Sequence, residues 1–105
     1  MSAGHAGSCH CGAVRLAILD TPVEVTQCNC TLCTKLGTRW VYAPSDRVTV
    51  SGGPLDDYVR GDLKEPALTT RRCRTCGTII CWQALDPQYA RMGINANLLD
   101  PALVE

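Results

Sequence analysis

The stretch SCHCG at residues 8–12 decides the fold together with a second stretch, CRTCG at residues 73–77. Each carries two cysteines and ends in a glycine. An extended backbone at a strand start sends the first two cysteines to the same face, and the C-x-x-C turn brings the other two onto one ion. The glycine after each pair allows a positive φ that turns backbone amides toward the thiolates. We therefore predict a tetrahedral, four-sulfur structural zinc site that joins the first strand to a late one. Its ligands are Cys9, Cys11, Cys73 and Cys76.

A C-x-x-C pair also serves thiol–disulfide oxidoreductases, so Cys73 and Cys76 have a redox alternative. That motif is expected at the start of a helix in a βαβ unit, and the sequence around residues 73–77 shows no such pattern. We prefer the metal site over the redox pair.

The stretch CNCTLC at residues 28–33 places three further thiols, those of Cys28, Cys30 and Cys33, close together. Three thiolates on Zn²⁺ leave a net charge of about −1 and one open coordination position, which distinguishes a catalytic zinc from a closed structural one. Water or a substrate thiol would fill that position. We predict that these three cysteines bind a second, catalytic zinc.

Another protein ligand would close the second site and leave no room for a substrate. Cys81 is the candidate, but it lies in the apolar run TIICW, where a cysteine commonly packs as a small hydrophobic residue. His10 is expected to point away from the cysteines that flank it, and His5 lies in a terminus that we expect to be mobile. The open site is the preferred interpretation.

The composition is that of a small soluble domain. With 105 residues, 46% of them hydrophobic and 19% charged, we expect one domain over residues 1–105 with a modest core, for which a bound metal is useful. No signal peptide and no apolar run of membrane-spanning length, about 18 residues, is apparent, so we expect a cytoplasmic protein. In that reducing compartment, the eight clustered cysteines indicate metal binding rather than disulfides.

The charges balance, with ten lysines and arginines against ten aspartates and glutamates. No overall field would draw the chain to nucleic acid or to an anionic membrane, and we expect neither as a partner. The sequence does not indicate an oligomeric state.

Most of the remaining sequence predicts short strands. The runs are rich in Val, Ile, Thr, Trp and Tyr and are separated by Pro, Gly and Asp. They cover residues 13–19, 23–28, 39–43, 47–52 and 78–85, with weaker candidates at 55–59 and 90–98. One short helix is predicted over residues 31–37, ending at Gly37. The expected fold is an all-β, or mainly β, domain of short antiparallel strands with at most one short helix.

The cysteine motifs resemble those of the glutathione-dependent formaldehyde-activating enzyme family, which includes centromere protein V. The resemblance rests on GSCHCGAVR, CNCTLCTKLG and CRTCGT, supported by VSGGPLDDYV and INANLLD, and spans about residues 7–101. It implies a tent-like β fold with two zinc ions, the structural one on Cys9, Cys11, Cys73 and Cys76 and the catalytic one on Cys28, Cys30 and Cys33. The chain departs from the family at Arg72, where Phe is usual, and at Asn29, where many members have His.

The family resemblance implies a carbon–sulfur lyase that joins glutathione to formaldehyde as S-(hydroxymethyl)glutathione. Glutathione carries two carboxylates, for which arginine and lysine are natural partners. Each cation near the cysteines is also explained as a solvated charge on a strand face, and the polar and aromatic neighbours either line a pocket or pack. The candidate cations are Arg71, Arg72, Arg74, Lys35 and Arg39, and the other neighbours are Thr34, Asn29 and Trp40.

A non-catalytic binding module is the alternative function. It would carry a small thiol, or bind nucleic acid or protein through the short basic run RRCR at residues 71–74. The absence of any longer basic tract argues against nucleic acid.

Overall fold

The computed structural model describes residues 5–19, 25–27 and 30–99. Within these ranges the chain is mainly β with one short α-helix, which confirms the predicted fold class. The strands are β1 (His5–Ser8), β2 (Val14–Ile18), β3 (Trp40–Pro44), β4 (Val48–Gly52), β5 (Leu55–Val59), β6 (Leu68–Cys73), β7 (Ile79–Ala84) and β8 (Arg91–Asn95). Helix α1 covers Thr31–Leu36, and two short 3₁₀ turns cover Ser45–Arg47 and Ala96–Leu98. No helix in the described ranges is long and apolar enough to cross a membrane.

The strands form two antiparallel sheets, ordered β1-β2-β4 and β3-β8-β7-β6-β5. In β2, every second residue is buried, namely Val14, Leu16 and Ile18, because successive side chains of a strand point to opposite faces. These side chains belong to one core cluster with Ile80 and Ile94 of the larger sheet. The hydrophobic core therefore draws on both sheets.

A row of residues crosses all five strands of the larger sheet at one level. The register places Tyr42 opposite Gly93, Gly93 opposite Trp82, Trp82 opposite Thr70, and Thr70 opposite Tyr58. Residues directly opposite each other lie on the same face of a sheet. In β3, β7 and β8 the strand neighbours of this row, such as Val41, Cys81 and Ile94, belong to the core cluster, so the row itself lies on the other face. We call it the cross-sheet row.

Helix α1 has defined ends. The sulfur of Cys30 accepts a hydrogen bond from the backbone N–H of Cys33 at 3.3 Å, which caps the first turn. Gly37 takes the left-handed conformation, with φ 68°, and donates its N–H to the carbonyl of Cys33. The helix stop predicted at Gly37 is confirmed.

Most strand predictions are confirmed, with boundaries shifted by at most three residues. Half of the strand predicted over residues 23–28 lies outside the described residues, and Thr26 in the described half forms a bridge with Trp40. Strands β1 and β6 were missed because HAGS and LTTRRC lack an apolar alternation, and pairing with neighbours stabilises them instead. The mobile terminus expected around His5 is wrong, since His5 begins β1 and lies opposite Ile18.

Candidate metal centre and thiol cavity

Four sulfurs converge at the predicted structural site. Those of Cys9, Cys11, Cys73 and Cys76 all lie within 4.8 Å of one another, with 3.6 Å between Cys9 and Cys11 and 3.7 Å between Cys11 and Cys73. A tetrahedral zinc with Zn–S bonds of about 2.3 Å would separate its sulfurs by about 3.8 Å. The cluster therefore has the donor set and the spacing to hold a metal ion.

The backbone around Cys9 and Cys11 differs from the extended strand start predicted for it. The N–H of Gly12 bonds to the carbonyl of Cys9 at 3.2 Å, so the pair lies in the turn of the β1–β2 hairpin. A turn brings two sulfurs to one point more closely than an extended chain, in which residues two apart lie roughly 7 Å from each other.

The second pair of sulfurs lies in a turn of similar design. The N–H of Gly77 bonds to the carbonyl of Cys73 at 2.9 Å in the β6–β7 hairpin. Gly12 and Gly77 have φ of 83° and 79°, as predicted, in open space where a side chain would be strained by the backbone alone. The cluster joins a loop of the smaller sheet to a loop of the larger one.

Hydrogen bonds favour the thiolate form at two of the four sulfurs, those of Cys9 and Cys76. The N–H of Val14 donates to the sulfur of Cys9 at 3.3 Å, and the hydroxyl of Thr78 lies 3.2 Å from the sulfur of Cys76. The bond from Thr78 is the main cause that lowers the pKa of Cys76 to about 5. A thiolate at neutral pH is the form that binds metal.

The surroundings of Cys73 and Cys76 do not match a redox dithiol. The pair lies between two antiparallel strands rather than at the start of a helix. No disulfide links any two of the seven cysteines in the described ranges. These observations favour the metal interpretation.

The second predicted site is described in part. Cys28 lies outside the described residues, so only Cys30 and Cys33 have a known environment. Both are partly buried at the start of α1, and the indole N–H of Trp40 donates to the sulfur of Cys33 at 3.4 Å. Two cysteine sulfurs at the start of α1 thus accept N–H bonds, as thiolate ligands commonly do.

A cavity of about 230 Å³ lies between the start of α1 and the cross-sheet row. We call it the thiol cavity. The two cysteines form one wall, and aromatic side chains form much of the floor. Its lining consists of Cys30, Leu32, Cys33, Trp40, Tyr42, Arg60, Leu68, Thr70 and Trp82. Trp40 was considered as a pocket residue from the sequence, whereas Tyr42, Thr70 and Trp82 were missed because strand register alone brings them here.

Arg60 is the cation in the described lining of this cavity, and it was not predicted from the sequence. One guanidinium N–H points to the sulfur of Cys30 at 3.7 Å, while others bond to both carboxylate oxygens of Asp62 at 2.8 and 2.7 Å. The hydrogen bonds from Arg60 hold the pKa of Asp62 well below its usual range. The only signal in the sequence was the position of Arg60 just after β5.

A neighbouring cavity of about 310 Å³ shares Leu32 and Arg60 with the thiol cavity. Lys35 lines it together with Thr31, Tyr58 and Asp62. Of the cations considered from the sequence, Lys35 is therefore the one adjacent to the thiol cavity. We call this neighbour the side cavity.

The other candidate cations are engaged elsewhere. Arg71 in β6 bonds to Asp57 at 3.0 Å, and Arg74, just after β6, bonds to Asp56 at 2.8 Å. Both aspartates lie in β5. Arg72 lies opposite Asp56 in the same strand pair. These contacts agree with solvated charges on a strand face and weaken the basic patch inferred from RRCR.

Arg39 and Thr34 do not line either cavity. Arg39 donates two hydrogen bonds to the side-chain oxygen of Asn97, at 3.0 and 2.9 Å. Thr34 is exposed on α1, and Asn29 lies outside the described residues.

Cys81 is a core residue. It has no exposed surface and lies opposite Ile94, while its neighbour Trp82 faces the thiol cavity on the other side of the sheet. Burial raises the pKa of its thiol to about 11, so it is protonated at neutral pH. This position favours packing over metal ligation.

His10 lies beside a third cavity, of about 440 Å³, and is not among the converging ligands. Its backbone N–H donates to the hydroxyl of Thr78 at 3.3 Å. Apart from His10, the described lining of this cavity consists of uncharged polar and apolar residues and contains no cysteine.

The fold and the cluster define a class: a small β protein with two sheets joined at a cysteine cluster able to hold a metal. Among known families, residues 4–103 match the one described as Glutathione-dependent formaldehyde-activating enzyme. Because the match covers nearly the whole sequence, the chain belongs to this family. Among solved structures it is similar to a crystal structure of a Rhodobacter sphaeroides protein, with a TM-score of 0.73 and 27% identity over 90% of this chain and 87% of that chain.

Proposed function

We propose that the chain joins a thiol such as glutathione to formaldehyde at a zinc held by Cys28, Cys30 and Cys33, in the manner of a carbon–sulfur lyase. The observation that carries the proposal is the thiol cavity, where two of these cysteines meet an aromatic floor. The other zinc, on the four-sulfur cluster of Cys9, Cys11, Cys73 and Cys76, would be structural. The family to which the chain belongs supports the choice of glutathione and formaldehyde.

The thiol cavity suits a small electrophile beside a thiol. Its volume of about 230 Å³ is several times the share of one liquid water, about 30 Å³, so a CH₂–SH group and a one-carbon aldehyde fit together. Trp40 is buried and bonded to Cys33, so this part of the wall is fixed. Holding both reactants side by side supplies much of the rate gain expected of such a site.

The reaction forms one S–C bond and converts the carbonyl of formaldehyde to a hydroxyl. The thiol loses its proton, the sulfur attacks the carbonyl carbon, and the oxygen gains a proton, so no oxidant or reductant is needed. Zinc at this site would supply the acidity that turns an incoming thiol into a thiolate. The aromatic residues limit the water that competes for the carbonyl.

The side cavity suits the remainder of glutathione. It opens next to the thiol cavity and carries Lys35, whose ammonium would attract a carboxylate. Neutral thiols lack this contact, so Lys35 favours glutathione over them.

Two matched variants test the proposal, Cys30→Ser at the cavity and Cys73→Ser at the cluster. Product formation is followed by ¹³C NMR with labelled formaldehyde above the uncatalysed rate, and zinc is counted by native mass spectrometry. We expect Cys30→Ser to abolish catalysis and to keep the fold and one zinc, whereas Cys73→Ser destabilises the whole chain. Wild-type protein that leaves the uncatalysed rate unchanged, or two variants with the same behaviour, would contradict the proposal.

A further inference from the structure

Binding of a further thiolate in the thiol cavity is electrostatically unfavourable. Zn²⁺ with three thiolates has a net charge of about −1, and a fourth thiolate makes the net charge about −2. The floor and walls are largely aromatic and aliphatic, so this charge is poorly solvated unless a cation lies nearby.

The positive charge of Arg60 lies close to these thiolates. Its side chain is only 14% exposed, and a guanidinium N–H points to the sulfur of Cys30. Arginine keeps its charge in such surroundings because its pKa is very high. A bond from a charged donor to sulfur is strong when the sulfur is a thiolate, which is the form a metal ligand takes.

A ring of hydrogen bonds fixes the orientation of the guanidinium. Two of its nitrogens hold the carboxylate of Asp62, one of them also donates to the hydroxyl of Thr31 at 3.1 Å, and that hydroxyl bonds to Asp62 at 2.9 Å. The side chain of Asp62 is 51% exposed and that of Arg60 14%, so water screens the negative charge better than the positive one. The positive charge therefore remains effective at the sulfur of Cys30.

We infer that Arg60 is a positioning residue that holds the sulfur of Cys30 and offsets the negative charge of the thiolates, so that one more thiolate can bind. The inference rests on the proposed function, because it assumes a thiol that binds at the second metal site. It assigns different roles to two neighbouring cations. Arg60 assists any thiolate, whereas Lys35 assists only a thiol that carries a carboxylate.

Native mass spectrometry of the zinc-loaded chain tests this division without reference to activity. Two probes are titrated, glutathione and 2-mercaptoethanol, which has no carboxylate. The variants are Arg60→Met, Arg60→Gln and Lys35→Met. Arg71→Met is the matched control, because Arg71 bonds to an aspartate in a similar way but lines neither cavity.

We expect Arg60→Met to bind both probes at least about tenfold more weakly, as for the loss of a hydrogen bond to a charged group. Lys35→Met should weaken glutathione alone, and Arg71→Met should match the wild type. Loss of one zinc from Arg60→Met, with two kept by Arg71→Met, also supports the inference, since Cys30 would then have lost its position. Unchanged binding of both probes, or weakening of glutathione alone in Arg60→Met, would overturn it.

Two further outcomes are distinguishable. If Arg60→Met does not fold, Arg60→Gln decides, because it also removes the positive charge: equal weakening of both probes supports the inference, and no weakening or weakening of glutathione alone rejects it. Wild-type protein that holds only one zinc, or no thiol, rejects the proposed function itself and this inference with it.

Discussion

Cys73 and Cys81 are two fully buried cysteines with different surroundings. The sulfur of Cys73 lies 3.7 Å from that of Cys11, within the converging cluster. Cys81 packs among apolar side chains of the core and is not one of the four cysteines whose sulfurs converge. At this scale, position rather than residue type separates a metal ligand from a hydrophobic side chain.

Alanine at these two positions should therefore have opposite effects on the metal. We expect Cys81→Ala to keep every bound metal ion and to lower the free energy of unfolding by about 1–2 kcal/mol, as small changes in a core do. Cys73→Ala should lose the structural metal together with far more stability. Native mass spectrometry and urea unfolding measure both quantities. A lost metal ion in Cys81→Ala would show that Cys81 closes a metal site.

At the scale of elements, the antiparallel pair of β7 and β8 shapes the thiol cavity. Gly93 lies opposite Trp82, and the indole of Trp82 lies so close that a Cβ on residue 93 would overlap it. Because Gly93 has no side chain, the indole of Trp82 can lie over the neighbouring strand. A glycine inside a strand normally weakens it, whereas Gly93 makes room in the sheet for a wall of the thiol cavity.

Gly93→Ala should displace the indole of Trp82 and distort the thiol cavity. We expect a loss of about 1–3 kcal/mol in the free energy of unfolding, as for other overpacked sites, with a changed tryptophan fluorescence and weaker binding of glutathione. Gly61→Ala is the control, because a Cβ at that position meets no atom within 4 Å. A Gly93→Ala variant as stable as the wild type, with the same fluorescence, would show that the indole has another position available.

At the scale of the whole molecule, the cysteine cluster joins the two sheets. Its ligands come in pairs from the β1–β2 hairpin and the β6–β7 hairpin, which belong to different sheets. A metal at this point closes a long loop of the chain and fixes the sheets on either side of the core. Bound structural zinc contributes roughly 10–16 kcal/mol in small zinc domains, comparable to the whole stability of a typical domain, about 5–15 kcal/mol.

Removal of the metal with a strong chelator should abolish cooperative thermal unfolding. Calorimetry and the near-ultraviolet circular dichroism of Trp40 and Trp82 would report the loss of fixed packing. The Cys73→Ala variant serves as the control, since the chelator should change it little further. A chelated wild-type chain that still unfolds cooperatively near its original temperature would show that the hydrophobic core holds the sheets together without the metal.

Local patterns allowed much of the fold to be predicted. The alternation in β2 and the apolar run of β7 are visible in the sequence because strand side chains repeat every two residues. The polar strands β1 and β6 were not predictable in this way, because their partners stabilise them. The metal-binding turns that end at Gly12 and Gly77 could also be predicted, because a turn that brings two sulfurs together depends on only a few consecutive residues.

Local sequence patterns were enough to predict which thiols stand in pairs, where the turns with positive φ fall, and which family the chain resembles. The residues that surround the thiols became known from the tertiary fold alone. It placed Cys81 in the core, paired Arg71 and Arg74 with aspartates, and brought Arg60 to Cys30. The reason is physical: turn geometry depends on a few consecutive residues, whereas contacts across a sheet depend on the register of strands that are distant in the chain.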